Sequence, residues 1–218
     1  MIKQFSIFDS DFIGVYVKAY KDTAFVPKNI SPEAEGIIKD ILKVNTLHVI
    51  IDNFSLIGTM IAFNSSGIVV SGLSNPDEFA GLDIGGRNIL FLKDRLNAIG
   101  NNVITNDKAA VIHPSFTESS EKAIADTLGV EVIKSSIAGV KTVGSVAVLN
   151  DKGMLVSPEA TDEEIKNLKE MFGINVNTGT ANYGSYYIGS SIITNSNGIL
   201  VGNATTSIEL GRIDDTLS

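Results

Sequence analysis

VGSVAVLNDKGMLVSP, residues 143–158, decides how this chain is read. Short apolar runs on both sides of N-D-K-G predict a β-hairpin, since asparagine opens a tight turn by bonding its own backbone. The same pattern stands at IGTMIAFNSSGIVVSG (57–72), IGNNVITNDKAAVIHP (99–114) and IGSSIITNSNGILVGN (188–203), with a looser copy at IGVYVKAYKDTAFVP (13–27). The leading glycines, Gly14, Gly58, Gly100, Gly144 and Gly189, stand 44, 42, 44 and 45 residues apart. Six positions after them come Tyr20, Asn64, Asn106, Asn150 and Asn195. A period of this length marks a repeated supersecondary unit. Gly67, Gly153 and Gly198 are expected to take the positive φ at the turn exit, where Thr23 and Ala109 depart from the pattern.

Each repeat extends in the same way. The second runs of the hairpins (IVV, AVI, MLV, ILV) are continuously apolar and predict strands covered on both faces. Helix signals follow: Ser31-Pro32 ahead of Ala34, Ile37, Ile38, Ile41 and Leu42, Ser115 with Glu118 closed by Gly129, and Thr161 with Glu164 closed by Gly173. In the second repeat SNPDEFAGLDIGG starts like a helix and is cut by glycines. Further strands are expected at 46–51, 88–92, 131–134 and 174–176, and a last short helix within 205–217. The lone N-terminal strand, IKQFSIF (2–8), has no helix before it, and the last helix has no strand after it. A single α/β domain over residues 1–218, five units of about 43 residues closed into a ring by the N-terminal strand, joins these loose ends. An open solenoid would need caps that the sequence does not carry.

Composition narrows the chemistry. Seventeen Lys+Arg against 25 Asp+Glu give a net charge of −8, and only Arg87, Arg95 and Arg212 are arginines. A direct grip on a phosphate backbone is disfavoured, and an acidic surface suits a basic protein partner. No cysteine is present, which removes disulfides, thiolate metal sites and cysteine nucleophiles. No apolar run suits a membrane span and no secretory signal is visible, so a cytoplasmic protein is expected. His48 and His113 stand in no metal-ligand spacing and are read as structural, with no metal and no cofactor expected. GLDIGGRN (81–88) and TGTANYG (178–184) are read as turns. What remains is the ring: Val15, Thr59, Asn101, Ser145 and Ser190 follow the repeated glycines, four of the five small and polar. They either begin strands or form a flat docking face.

RLNAIGNNVITND (95–107), AAVIHP (109–114), GTANYGS (179–185) and ATTSIEL (204–210), within this five-repeat frame, resemble the translation initiation factor 6 family. The resemblance spans essentially the whole chain and points to its archaeal members. It implies the pentein fold, a five-bladed α/β propeller with pseudo-five-fold symmetry. It implies a monomer that binds the large ribosomal subunit on its intersubunit face, beside a basic ribosomal protein near the sarcin–ricin loop, with little direct RNA contact. There it keeps the small subunit from joining and serves large-subunit biogenesis. The ribosome-binding positions it implies are Gly14, Thr59 after Gly58, and Asn101; the repeat frame adds Ser145 and Ser190. Eukaryotic relatives carry a basic residue where Thr59 stands. The same ring fold hosts enzymes that act on guanidine groups through a cysteine, and a chain without cysteine lacks their nucleophile.

Overall fold

The apolar segments of each repeat pair as a three-stranded sheet in the computed structural model, which describes residues 1–218. The fifteen strands, in chain order, are β1 (Ile2–Phe5), β2 (Lys18–Tyr20), β3 (Thr23–Pro27), β4 (Asn45–Val49), β5 (Ile61–Phe63), β6 (Gly67–Ser71), β7 (Asn88–Leu92), β8 (Val103–Thr105), β9 (Ala109–Ile112), β10 (Glu131–Lys134), β11 (Ala147–Leu149), β12 (Gly153–Val156), β13 (Asn175–Thr178), β14 (Ile192–Thr194) and β15 (Ile199–Gly202). The sheets are β2-β3-β4, β5-β6-β7, β8-β9-β10, β11-β12-β13 and β14-β15-β1. In each, a hairpin supplies an antiparallel pair and the third strand lies parallel to the second. The middle strands are buried along their whole length, as their unbroken apolar runs require. The N-terminal strand supplies the last repeat's missing partner, pairing from Ile2 opposite Ile199 to Phe5 opposite Gly202.

The helices are α1 (Pro32–Leu42), α2 (Ile57–Met60), α3 (Ile99–Asn102), α4 (Glu118–Leu128), α5 (Asp162–Phe172), α6 (Ile188–Ser191) and α7 (Ser207–Leu217). Ser31, Thr161 and Thr206 cap α1, α5 and α7, and Gly129 and Gly173 end α4 and α5 in the left-handed region. Thr117, not Ser115, caps α4: its hydroxyl accepts from the Ser120 amide. The short helices correct a second expectation. The residues after the repeated glycines do not begin strands; Val15, Thr59, Asn101 and Ser190 lie in single helical turns and Ser145 in a plain turn, and the strands start three or four residues after each glycine.

Those turns pack glycine against glycine. A Cβ on Gly58 would collide with the Gly14 carbonyl oxygen, on Gly100 with that of Gly58, on Gly144 with that of Gly100, and on Gly189 with that of Gly144. One on Gly14 would collide with the Gly189 carbonyl, so the series of contacts returns to its start. The apolar clusters obey the same logic. Ala62, Val69 and Leu92 of the second repeat pack with Val103, Ile112, Ile124 and Leu128 of the third. Ile193 and Leu200 of the fifth pack with Val17, Ile38 and Leu42 of the first. The cores lie between neighbouring repeats, so no repeat buries its apolar face alone.

The hairpin asparagines fasten the same seams. Asn64 Oδ1 accepts from the Ser66 and Gly67 amides, closing its own turn. Its Nδ2 donates to the carbonyls of Asn106 and Leu128, the latter the last residue of the next repeat's helix. Asn106 reaches Phe172, Asn150 reaches Leu217 and Asn195 reaches Leu42 in the same way. The glycines three positions on have a matching purpose. Gly67, Gly153 and Gly198 do not take positive φ, contrary to expectation. A Cβ on them would instead strike the carbonyls of Thr127, Thr216 and Ile41, near the ends of those helices.

The first repeat breaks this pattern for a visible reason. Its Tyr20 and Thr23 would clasp a helix in the second repeat, and that repeat has only a 3-10 turn, Pro76–Phe79. Gly81, Gly85 and Gly86 then take positive φ, which stops a helix from continuing. Aromatic rings fill the space, Phe25 lying 5.0 Å from Phe63 and Phe79 lying 5.5 Å from Phe91, centroid to centroid. The Asn64 carbonyl, left without an asparagine donor, accepts from Arg87 Nε at 3.0 Å.

Candidate docking face

The innermost strands run from the glycine turns at one end to the hairpin tips at the other, so the ring has two faces. On the tip face two carboxylates are bonded across neighbouring hairpins. Asp107 pairs with Lys21 and accepts from the Ser65 amide and hydroxyl, and Asp151 accepts from the Ser196 hydroxyl. Burial opposes ionisation of Asp107, but the bonds from Lys21 and Ser65 outweigh it and hold the carboxyl below its usual range. Between the faces lies an axial cavity of about 40 Å³ lined by Ala62, Ile104, Val148 and Ile193. That is room for about one water. Lys18 holds the fifth equivalent position, and burial lowers its ammonium to about 8. No three His, Asp or Glu side chains converge as metal ligands would.

The glycine face carries the positions that the sequence singles out. Gly14 and Gly58 are buried in the ring of carbonyl contacts, where they act through backbone packing. Thr59 and Ser145 are buried, and their hydroxyls donate inward to the Leu56 and Thr142 carbonyls at 2.8 and 2.6 Å. Asn101 and Ser190 are half-buried, and their side chains make no hydrogen bond. The Asn101 carbonyl accepts from the Gly144 amide, so its backbone belongs to the ring while its amide does not.

Around these turns stand the loops that lead into them, of which the sequence reading named only TGTANYG, as a turn. Four fold back on themselves through isolated pairs, Ile7 with Ser10, Ile51 with Phe54, Ile137 with Val140 and Ala181 with Ser185. Their tips hold non-glycine residues at positive φ: Phe8 and Asp9, Asp52 and Asn53, Ala138, and Asn182 and Tyr183. The turn in TGTANYG has a specific support. Glu209, buried at the start of α7, accepts from the Thr180 hydroxyl and Gly184 amide on Oε1. Its Oε2 accepts from the Tyr183 and Thr206 amides and the Thr206 hydroxyl. Two separated motifs, GTANYGS and ATTSIEL, thus form one hydrogen-bonded unit. Asn182, from the same turn, reaches the Asp11 carbonyl of the first repeat at 2.7 Å.

All of the groups around Glu209 are donors, which fixes its charge state. Burial disfavours the carboxylate, yet the bonds from Thr206, Gly184 and Thr180 hold its pKa below the ordinary 4.5. A depressed carboxyl stabilises the fold above its unfolded value, and that stabilisation is lost as pH falls through the folded value. Glu209→Gln turns an NH₂ toward these donors and should cost about 2–3 kcal/mol at neutral pH. Urea midpoints from pH 7 to 3 check this: wild type should lose more stability on acidification than the variant.

The chain is a set of five repeated units with one face of turns and folded loops. The comparisons with known proteins name its kind. The model of the eIF-6 family matches residues 2–216, and the chain belongs to that family of translation initiation factors. It is 59% identical to "Translation initiation factor 6" of Picrophilus torridus over 218 residues, covering all of both chains. The Thermoplasma acidophilum protein of the same name is 48% identical over 219 residues, again with full coverage. That of Methanosarcina mazei is 38% identical over 220 residues, with 98% of its length covered.

Proposed function

We propose that this chain binds the intersubunit face of the large ribosomal subunit through its glycine face and keeps the small subunit away by occupying the space. In this reading the five sheets form one domain, a closed five-bladed propeller of the pentein kind, and the protein acts in the cytoplasm as a monomer without catalysis. It meets a basic ribosomal protein near the sarcin–ricin loop, with little direct RNA contact, and takes part in maturing the large subunit. The observation that carries this reading is the cyclic glycine packing, which sets the glycine turns of five repeats around one axis. A net charge of −8 agrees with a basic protein partner. The absence of cysteine speaks against the guanidine chemistry of enzymes with the same ring.

Sedimentation with purified subunits is the test. The protein should travel with large subunits one to one and lower the yield of joined ribosomes. Asn101→Glu, on a half-buried side chain without hydrogen bonds, should weaken that association without lowering the urea midpoint. Protein left at the top of the gradient would refute the binding, and turnover of an arginine-like substrate would refute the non-enzymatic reading.

A further inference from the structure

We infer that an arc of exposed aromatic side chains on the fifth, first and second repeats is the part of the glycine face that grips the partner, and that the partner there is a basic protein surface. The inference rests on the large-subunit reading above. Seven of the ten exposed large apolar side chains in the chain lie in three loops of this face. The fifth repeat gives Tyr183, Tyr186 and Tyr187, the first Phe8 and Phe12, and the second Phe54 and Leu56. Tyr183 is 84% exposed.

The equivalent loops of the third and fourth repeats expose none. The fourth repeat's loop folds back through the same kind of isolated pair as the three aromatic ones and exposes no large apolar side chain, so that form does not itself require aromatic exposure. A contiguous apolar patch confined to one side of a pseudo-symmetric face marks an interaction surface. The three loops are also joined. Asn182 bonds the Asp11 carbonyl, and Asn29 lines a cleft with Phe8 and Asp9 and accepts from the Ser55 hydroxyl at 2.9 Å.

Charge selects the occupant. The aromatic loops, residues 6–12, 50–56 and 179–187, contain Asp9, Asp11 and Asp52 and no lysine or arginine. Asp9 and Asp52 are exposed. The loops of the third and fourth repeats contain Lys93, Arg95 and Lys141, all exposed, while their one acid, Asp94, is held by the Ser120 hydroxyl at 2.6 Å. Bases can stack on tyrosine, but an RNA backbone would meet carboxylates on the aromatic arc without a neutralising cation. Lysine and arginine side chains find both the carboxylates and the ring faces they favour. Tyrosine adds apolar area at low entropic cost, as interface anchors do.

The experiment places p-benzoylphenylalanine at position 183 or 141 of the full chain and irradiates it with purified large subunits. The adduct at position 183 should survive ribonuclease and be destroyed by protease. An adduct that ribonuclease destroys, or none at 183 while the protein still co-sediments, would overturn the assignment. A second measurement titrates the subunits. Phe12→Ala with Tyr187→Ala should weaken binding about tenfold or more with the urea midpoint kept; unchanged affinity would overturn the arc. If wild type fails to co-sediment, the large-subunit reading fails first and the inference falls with it. Loss of binding only in Lys141→Glu would assign the grip to phosphate on the opposite arc.

Discussion

Gly58→Ala is expected to leave no stably folded protein. The new Cβ would occupy the space of the Gly14 carbonyl oxygen and lie 2.8 Å from that of Val17. Both obstacles are backbone atoms of the neighbouring repeat, so no flexible side chain can give way. Moving one helical turn displaces its neighbour, and that neighbour is packed on the next. Overpacking a rigid site costs roughly 1–3 kcal/mol, and this site has less freedom to relax than a side-chain core. A loss of about 4 kcal/mol or more would consume most of the about 5–15 kcal/mol that typically holds a domain.

Gly36→Ala is the contrasting variant. Gly36 lies inside α1 with nothing within 4 Å of a Cβ. Replacing it should stabilise the protein by about 0.5–1 kcal/mol, because alanine has the better helix propensity. Circular dichroism and urea titration of the two variants separate a glycine that the ring requires from one that it merely tolerates. A folded Gly58→Ala protein with a wild-type midpoint would show that the turns pack less tightly than described.

Asn195→Ala should be the most damaging of the asparagine substitutions, at about 3–5 kcal/mol. Its amide donates to the Lys21 and Leu42 carbonyls, and its oxygen accepts from the Asn197 and Gly198 amides. Alanine leaves these groups without the partner, and each buried loss costs about 1–3 kcal/mol, not fully additively. The position matters as much as the number of bonds. Asn195 joins the last repeat to the first, where β1 pairs with β15 and where Gly14 packs on Gly189. Hydrogen exchange should therefore rise first in β1 and at the end of α1, ahead of global unfolding. Exchange that rises uniformly would mean that the ring opens at no preferred seam.

Most of the frame is legible in the chain. The period, the hairpins, the four long helices with the N-terminal caps of α1 and α5, and the strands at 88–92 and 131–134 follow from local rules of turn, cap and apolar pattern. The lone N-terminal strand implied its own partner, and β1 is found on β15. Assignments of purpose fared less well where the cause is a neighbour. Gly67 looks like a turn glycine, and its hairpin is real, but its missing Cβ makes room for the Thr127 carbonyl 60 residues away. Ser115 looks like a cap until Thr117 is seen holding the Ser120 amide.

The candidate site divides in the same way. Small polar residues after the glycines suggested a docking face; of these, Thr59 and Ser145 bond carbonyls three residues back, while Asn101 and Ser190 are half-buried. The aromatic loops had a signal in the sequence, since Phe12, Leu56 and Tyr187 all stand two positions before a repeated glycine. Their exposure could not be read from it, because a large apolar residue is ordinarily taken for core. By itself the sequence determined the repeat, its strands and turns, and the exclusion of cysteine chemistry, all of which depend on residues close in the chain or on composition. Only the tertiary structure decided which glycines meet, which asparagines fasten which helices, and which side chains face outward. Those outcomes depend on atoms from neighbouring repeats meeting at distances of a few ångströms, and no local pattern encodes a distance.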